Sequence, residues 1–272
     1  MFALPARRHA IITIATAFVS LCRPRDSIFR SLLLAHKNIP WRYQWPILLF
    51  HAGIYDSEDN QSEFFDNIRN AAEDNAVTME DVDKLIKRLE FIHLQHDLPD
   101  LPFETMDPKP VVMESWPGKS YTPTLYRYSF KISPTGYHHM CAFYSYKIFS
   151  HPRISSLDYY FRLDDDSFIR EPTCLDPFEY MHVNNKSFAY RSEGDDWPFV
   201  TVGMWQFTNK YANDHPDVES RLLGNQWPWL PNRDSPDYGL DAWIPSYGGN
   251  FEVVKLSRFQ TPEVKAFLDN GE

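Results

Sequence analysis

The sequence predicts an α/β fold, and three observations carry that reading. A strand–helix–strand succession fills the first fifty residues. An acidic stretch with helical spacing follows, and short aromatic or β-branched runs then alternate with helix-spaced ones to the end. With 272 residues, 43% of them hydrophobic and 16% aromatic, the chain can fill a core as one large domain or two small ones. That composition excludes a disordered polymer.

Residues 11–19, rich in Ile, Thr and Val, read as a buried first strand. Arg7-Arg8 before the apolar run 10–22 also has the shape of a signal-peptide core, too short to span a membrane. The βα unit that follows favours the strand. Residues 23–27 form a loop and cap, and Ile28, Phe29, Leu32 and Leu33 recur at helical spacing. Residues 45–50 are a second buried strand. From 55 to 101 the chain turns acidic and helical, with a capping box at Thr78-Met79-Glu80-Asp81 and an apolar stripe of Val82, Leu85, Ile86 and Leu89. The Pro-rich passage to Pro123 is loop. Thr135 caps a helix that presents Met140, Phe143, Tyr144 and Ile148 on one face. Strands are expected at 159–164, 187–191 and 250–254, and helices from Trp197-Pro198 and from Thr261-Pro262. The Pro- and Trp-rich segment 227–243 reads as an ordered loop.

A formal charge of −10 argues against a nucleic-acid partner, whose phosphates need a basic face. It leaves a diphosphate ligand open, because a metal ion supplies local positive charge. Three cysteines, Cys22, Cys141 and Cys174, make neither a disulfide framework nor a zinc motif, and the redox compartment stays open.

The stretch Tyr159-Tyr160-Phe161-Arg162-Leu163-Asp164-Asp165-Asp166 holds the chemistry: an aromatic strand ending in three acids. Carboxylates at i and i+2 of a strand edge point the same way, so Asp164 and Asp166 are suited to share a divalent cation. Oxygen ligation favours magnesium or manganese. Nucleotide-diphosphate-sugar enzymes commonly use such a pair to offset leaving-group charge. Three Asp also end a strand and enter a turn well, and the stretch alone leaves both readings open.

Four patterns stand in order: Leu21-Cys22-Arg23; Tyr137-His138-His139-Met140-Cys141; Tyr159-Tyr160-Phe161-Arg162-Leu163-Asp164; and Tyr247-Gly248-Gly249-Asn250-Phe251-Glu252-Val253. Together they resemble the fungal α-1,2-mannosyltransferases, glycosyltransferase family 15, with its patterns Y-R-H-M-C-R-F, Y-Y-W-R-V-E-P and N-F-E-I. The resemblance covers residues 10–55 and 115–272. It implies a GT-A-type fold with a mostly parallel central sheet flanked by helices. It also implies one catalytic domain over 10–272 with an acidic helical insertion at about 55–104. By the same resemblance the donor is GDP-mannose, the metal Mn2+ (or Mg2+), the acceptor a glycoprotein or oligosaccharide, and the setting the Golgi lumen or membrane.

Residue by residue, the resemblance places Asp164 where the family has the Glu of E-P, near metal and diphosphate. Arg162 matches the Arg before it, and Arg23 the Arg closing the first strand near the nucleotide. Glu252 matches the acid of N-F-E, the candidate nucleophile or stabiliser on the β face of the sugar, and Tyr137 an active-site Tyr. The residues themselves agree with this: the retaining transfer that the resemblance implies needs a group to attack or protect the anomeric carbon opposite the leaving group, a carboxylate can do so, and Glu252 follows a Gly-Gly-Asn turn that lets backbone approach a ligand. Without the family, Glu252 reads equally as a surface carboxylate, and Arg162 as a simple partner of Asp164 or Asp166.

The chain departs from the family at Asp164-Asp165, which replaces Glu-Pro, and at His138 and Ala142, which replace two Arg. The resemblance further implies a later R-W-G-D-A-P segment and an N-terminal anchor beyond residues 1–272, so an incomplete catalytic domain, truncated at the C-terminus, is expected. An open cleft with Val264, Phe267 and Leu268 uncovered near Glu252 is therefore expected. The alternatives are a GT-A transferase with another donor such as UDP-galactose, and a non-catalytic relative that binds glycan or nucleotide. A two-metal phosphodiesterase is disfavoured, because His and Asp are not dense enough for it.

Overall fold

The computed structural model describes residues 10–17, 27–51, 53–94, 143–196, 204–217, 244–248 and 250–269. β1 (Ala10–Ala17) lies between β2 (Ile47–His51) and β4 (Tyr159–Asp164), parallel to both. β3 (Leu89–His93) extends the sheet parallel to β2. Beyond β4 the direction reverses: β8 (Phe251–Lys255) is antiparallel to β4, and β5 (Phe188–Tyr190) is antiparallel to β8. The order is β3-β2-β1-β4-β8-β5. A separate ribbon pairs β6 (Glu193–Asp196) with β7 (Ile244–Tyr247).

The sheet is buried on both faces. Along β2, Ile47 and Leu49 enter one cluster while Leu48 and Phe50 enter the other, as expected of a parallel strand covered on both sides. The first face is covered by α1 (Ser27–Asn38), α2 (Glu58–Ala72), α3 (Met79–Ile86) and α5 (Pro177–Val183). The second is covered by Phe143 and Tyr144, the 3-10 turn Lys147–Ser150, α4 (Pro152–Ser155) and α7 (Leu256–Phe259). Two further helices, α6 (Met204–Asp214) and α8 (Pro262–Asp269), meet where Phe267 packs on Phe207 and Tyr211, with ring centroids 5.2 and 5.1 Å away.

Several expectations are corrected here. Leu89 does not continue the α3 stripe: the helix stops at Ile86, and Leu89 opens β3. The reason is Arg88, whose Nε donates to the Trp45 carbonyl at 2.7 Å while its own carbonyl accepts from Ile47 N at 2.7 Å. Both bonds draw the chain into the sheet. The acidic segment thus delivers an edge strand as well as helices. Nor are the last apolar residues left uncovered: Val264, Phe267 and Leu268 are half-buried, and Leu268 packs against the second cluster.

The strand reading of the N-terminal run holds over Ala10–Ala17. Phe143, Tyr144 and Ile148 share one buried cluster as expected, with helix at 143–145 giving way to the 3-10 turn. Thr135, Met140, the start at Trp197-Pro198 and the segment 227–243 lie outside the described residues. So do Cys22 and Cys141, whereas Cys174 is a free, exposed thiol. Among the described residues no helix is long and apolar enough to cross a membrane.

Candidate active site

β4 is where the two faces diverge. Its odd residues, Tyr159, Phe161 and Leu163, enter the first cluster, and Tyr160 enters the second. Arg162 and Asp164 follow Tyr160 by alternation. Register then places Arg162 opposite Glu252 on β8, and Glu252 opposite Tyr190 on β5. Phe251 and Val253 pack in the first cluster, so Glu252 faces the same side as Arg162. Three strands therefore present one row, Arg162–Glu252–Tyr190, at the carboxyl end of β4. Open α/β sheets bind ligands at that edge, where the strand order switches between β1 and β4.

Arg162 and Glu252 are each held by residues beside the row. Arg162 Nε donates to Asp164 Oδ1 at 3.0 Å, and the Tyr160 hydroxyl donates to Glu252 Oε1 at 2.9 Å. The Arg162 guanidinium lies 4.0 Å from the centroid of the Tyr144 ring, a cation–π contact. Glu252 is 8% exposed, and the side chains of Arg162 and Asp164 are 12% and 25% exposed.

Burial dominates the electrostatics. It pushes the Glu252 carboxyl above its ordinary range, against the pull of Arg162 and of the Tyr160 hydrogen bond, and the Asp164 charge adds to the rise. Burial likewise raises Asp164; Arg162 opposes this and Asp166 reinforces it. Burial alone lowers Arg162, but Asp164, Tyr144 and Glu252 outweigh it and the net shift is upward. Tyr160 is held well above its usual value by burial and then by Glu252. One guanidinium shared between two desolvated carboxylates does not fully compensate either, so both rise although paired.

The turn after β4 is tied down. Ser31 Oγ on α1 donates to the Ser167 carbonyl at 2.7 Å, Asp164 N donates to the Asn250 carbonyl at 3.1 Å, and Ser167 N returns to the Asp164 carbonyl at 3.0 Å. β4 ends at Asp164, so it is this turn, rather than strand alternation, that sets Asp166, which is exposed. Asp165 is buried and acts on Tyr55, whose hydroxyl is pushed up to about 12, chiefly by burial and then by the Asp165 charge.

These donors suit a hard cation. Asp164 and Asp166 offer only carboxylate oxygens and lie close enough for the charge of Asp166 to act on Asp164. Among the described residues no group of three or more His, Cys, Asp and Glu converges as a cage. Magnesium-like sites are commonly built this way, from one or two carboxylates with phosphate oxygens and water completing the shell.

Of the residues singled out from the sequence, Asp164, Asp166, Arg162 and Glu252 gather at this edge. Arg23 and Tyr137 lie outside the described residues. Sequence reasoning missed Tyr160, Tyr144 and Tyr190. Tyr160 had a signal, since it precedes Arg162 and Asp164 on the same alternation; Tyr144 and Tyr190 depend on tertiary packing and register, which no local pattern encodes.

The model of the family described as glycolipid 2-alpha-mannosyltransferase matches residues 125–270. Similar curated proteins include alpha-1,2 mannosyltransferase KTR1 of Saccharomyces cerevisiae, 27% identical over 135 residues, covering 49% of this chain and 32% of that protein. O-glycoside alpha-1,2-mannosyltransferase omh1 of Schizosaccharomyces pombe is 26% identical over 134 residues, covering 49% of this chain and 33% of that protein. The aligned region thus spans about a third of the length of these relatives. Among solved structures, core-mannan synthase A (CmsA/Ktr4) of Aspergillus fumigatus, in its Mn/GDP form, superposes with a TM-score of 0.62 at 17% identity, covering 99% of this chain and 65% of that one. Ktr4p of S. cerevisiae in complex with GDP gives 0.62 at 17% identity, covering 97% and 61%. At these identities the likeness shows the fold, which is GT-A-like as expected.

Proposed function

The chain belongs to the glycolipid 2-alpha-mannosyltransferase family, glycosyltransferase family 15, and on that premise we propose that it is a metal-dependent, retaining α-1,2-mannosyltransferase. Its donor is GDP-mannose and its acceptor a glycoprotein or oligosaccharide glycan, in the Golgi lumen or at its membrane. GDP is carried by the solved Ktr4-type structures, and manganese by core-mannan synthase A. The observation that carries the reading is Arg162, hydrogen-bonded to Asp164 and in register opposite Glu252, on one sheet face at the carboxyl edge.

Each residue has a role that follows from its surroundings. Asp164 and Asp166 would hold Mn2+, which when bound would supply positive charge to offset that of a diphosphate leaving group. The Arg162 charge opposes the upward push that burial gives both Asp164 and Glu252, favouring their ionised forms side by side. Tyr160 fixes one oxygen of Glu252 by its 2.9 Å hydrogen bond, leaving the carboxylate aimed rather than rotating. Glu252, a desolvated carboxylate of raised basicity, attacks or shields the anomeric carbon from the face opposite the diphosphate.

Two measurements test this. Calorimetry should show GDP binding that requires Mn2+ and is lost in Asp164→Ala. Glu252→Gln should bind GDP within about threefold of the native chain and transfer mannose at least about a hundredfold more slowly. GDP binding that is equal in chelator, in the native chain and in Asp164→Ala would overturn the assignment.

A further inference from the structure

The row Arg162–Glu252–Tyr190 continues into an aromatic pair that the proposed chemistry does not use. Tyr247 on β7 stacks on Tyr190 with centroids 4.0 Å apart and planes at 27°. Phe188 supports both from below, 5.8 Å from each, and packs in turn on Phe259 at 6.2 Å. The pair is therefore rooted in the second core, yet Tyr247 remains 52% exposed. The Tyr190 hydroxyl donates to Glu193, which places a carboxylate at the rim of the stack. Gly248, next in the chain, keeps the approach narrow: its N donates to the Ser192 carbonyl at 2.8 Å, and a Cβ there would lie 2.5 Å from Ser192 Oγ.

We propose that Tyr190 and Tyr247 form a stacking platform for a pyranose ring of the acceptor glycan, on the side of Glu252 away from Asp164. The proposal rests on the transferase reading of the Glu252 site. Adjacent strands lie about 4.8 Å apart, so the row from β4 across β8 to β5 spans about 10 Å, room for two adjoining pyranose rings. With the donor diphosphate at Asp164 and Asp166, its sugar lies over Glu252, and the next ring along the row meets the exposed side of Tyr247, which Tyr190 backs. The C–H face of a pyranose is weakly positive and suits the negative face of an aromatic ring. The rim carboxylate of Glu193 accepts from sugar hydroxyls, and this combination of apolar floor and few polar groups fixes orientation. A nucleobase would need the same faces, but the β4 carboxylates set the diphosphate, and hence the base, on the opposite side of Glu252.

The test is saturation-transfer NMR and titration with methyl α-D-mannopyranoside, in GDP and Mn2+, on the native chain, Tyr247→Ala and Tyr247→Phe. The expected result is mannoside affinity about tenfold weaker in Tyr247→Ala. Tyr247→Phe, which keeps the ring, stays within about twofold, and GDP affinity is unchanged in both. Mannoside binding that is absent from the native chain, or equal in Tyr247→Ala, overturns the platform. A parallel fall in GDP affinity also overturns it, by giving the stack to the nucleobase. Failure of the native chain to bind GDP would defeat the transferase reading instead, and the dependence of mannoside binding on Tyr247 would still decide the platform.

Discussion

One strand, β4, builds two opposite environments. Toward the four-helix layer it sends Tyr159, Phe161 and Leu163 into a hydrophobic cluster free of charged residues. Toward the other face it sends Tyr160, Arg162 and Asp164, and β8 adds Glu252 to them. Register is shared, so the contrast is purely one of side chains. The first face gains free energy from every residue it buries. The second gives some back, since both of its carboxylates are pushed upward by burial. Stability and chemistry are thus divided between the two sides of one sheet, and the polar row is tolerated because the apolar face holds β4 in place.

The largest effect should come from the apolar side. Phe161 is 0% exposed and meets Trp41 and Phe251 at 6.0 and 4.8 Å between ring centroids. Phe161→Ala should cost about 3–5 kcal/mol in urea unfolding, through lost burial and a cavity. Glu252→Gln, one residue away across the sheet, should change stability by less than about 1 kcal/mol while abolishing transfer. If the two variants destabilise equally, the division between faces is wrong.

Arg162→Ala comes next, at about 2–4 kcal/mol, because it strands two desolvated carboxylates. The sign with pH follows from the upward shifts. A carboxyl whose folded pKa is raised binds its proton more tightly in the folded state, so it favours folding below its unfolded pKa. That contribution is lost as pH rises through the folded pKa. Removing Arg162 raises both groups further, so the deficit should be largest near pH 7 and shrink toward pH 4. Unfolding midpoints across that range, compared with the native chain, check this. For Glu252→Gln alone the prediction is smaller: a flatter fall of stability with rising pH, since one of the two raised groups no longer titrates.

The same division explains what the sequence made legible. β1, β4 and β8 announce themselves by β-branched and aromatic runs, and Asp164 and Glu252 by the motifs that end or begin them. β3 did not, because Leu89 falls in phase with the α3 stripe, and only the pull of Arg88 toward Trp45 and Ile47 ends the helix before it. β6 and β7 were illegible: Glu193-Gly194-Asp195-Asp196 and Ile244-Pro245-Ser246-Tyr247 have little strand propensity and pair only with each other. α5 was not read from the sequence, although Asp176-Pro177, a cap followed by Pro at the first helical position, carries its signal. At the site, the alternation of Tyr160, Arg162 and Asp164 was readable. The cross-strand step from Arg162 to Glu252 to Tyr190 was not, because register is a tertiary property.

The smallest predicted effect asks whether the two faces are independent. Thr78 caps α3, accepting from Asp81 N at 3.2 Å while its hydroxyl donates to Asp81 Oδ2 at 2.8 Å. Both groups are exposed, and α3 reaches the site only through the apolar layer, where Val82 and Leu85 are fully buried. Thr78→Ala removes one capping bond and should cost about 1 kcal/mol in thermal or urea unfolding. A loss of that size leaves the sheet register intact, so affinity for GDP with Mn2+ and the rate of mannose transfer should stay at the native values. Measuring both on the same preparation separates the possibilities. A stability loss with unchanged binding means the helix layer acts only as a support for β4. Weaker GDP binding in Thr78→Ala would mean that the helix layer transmits to the carboxyl edge, where the Asp165 charge already acts on Tyr55.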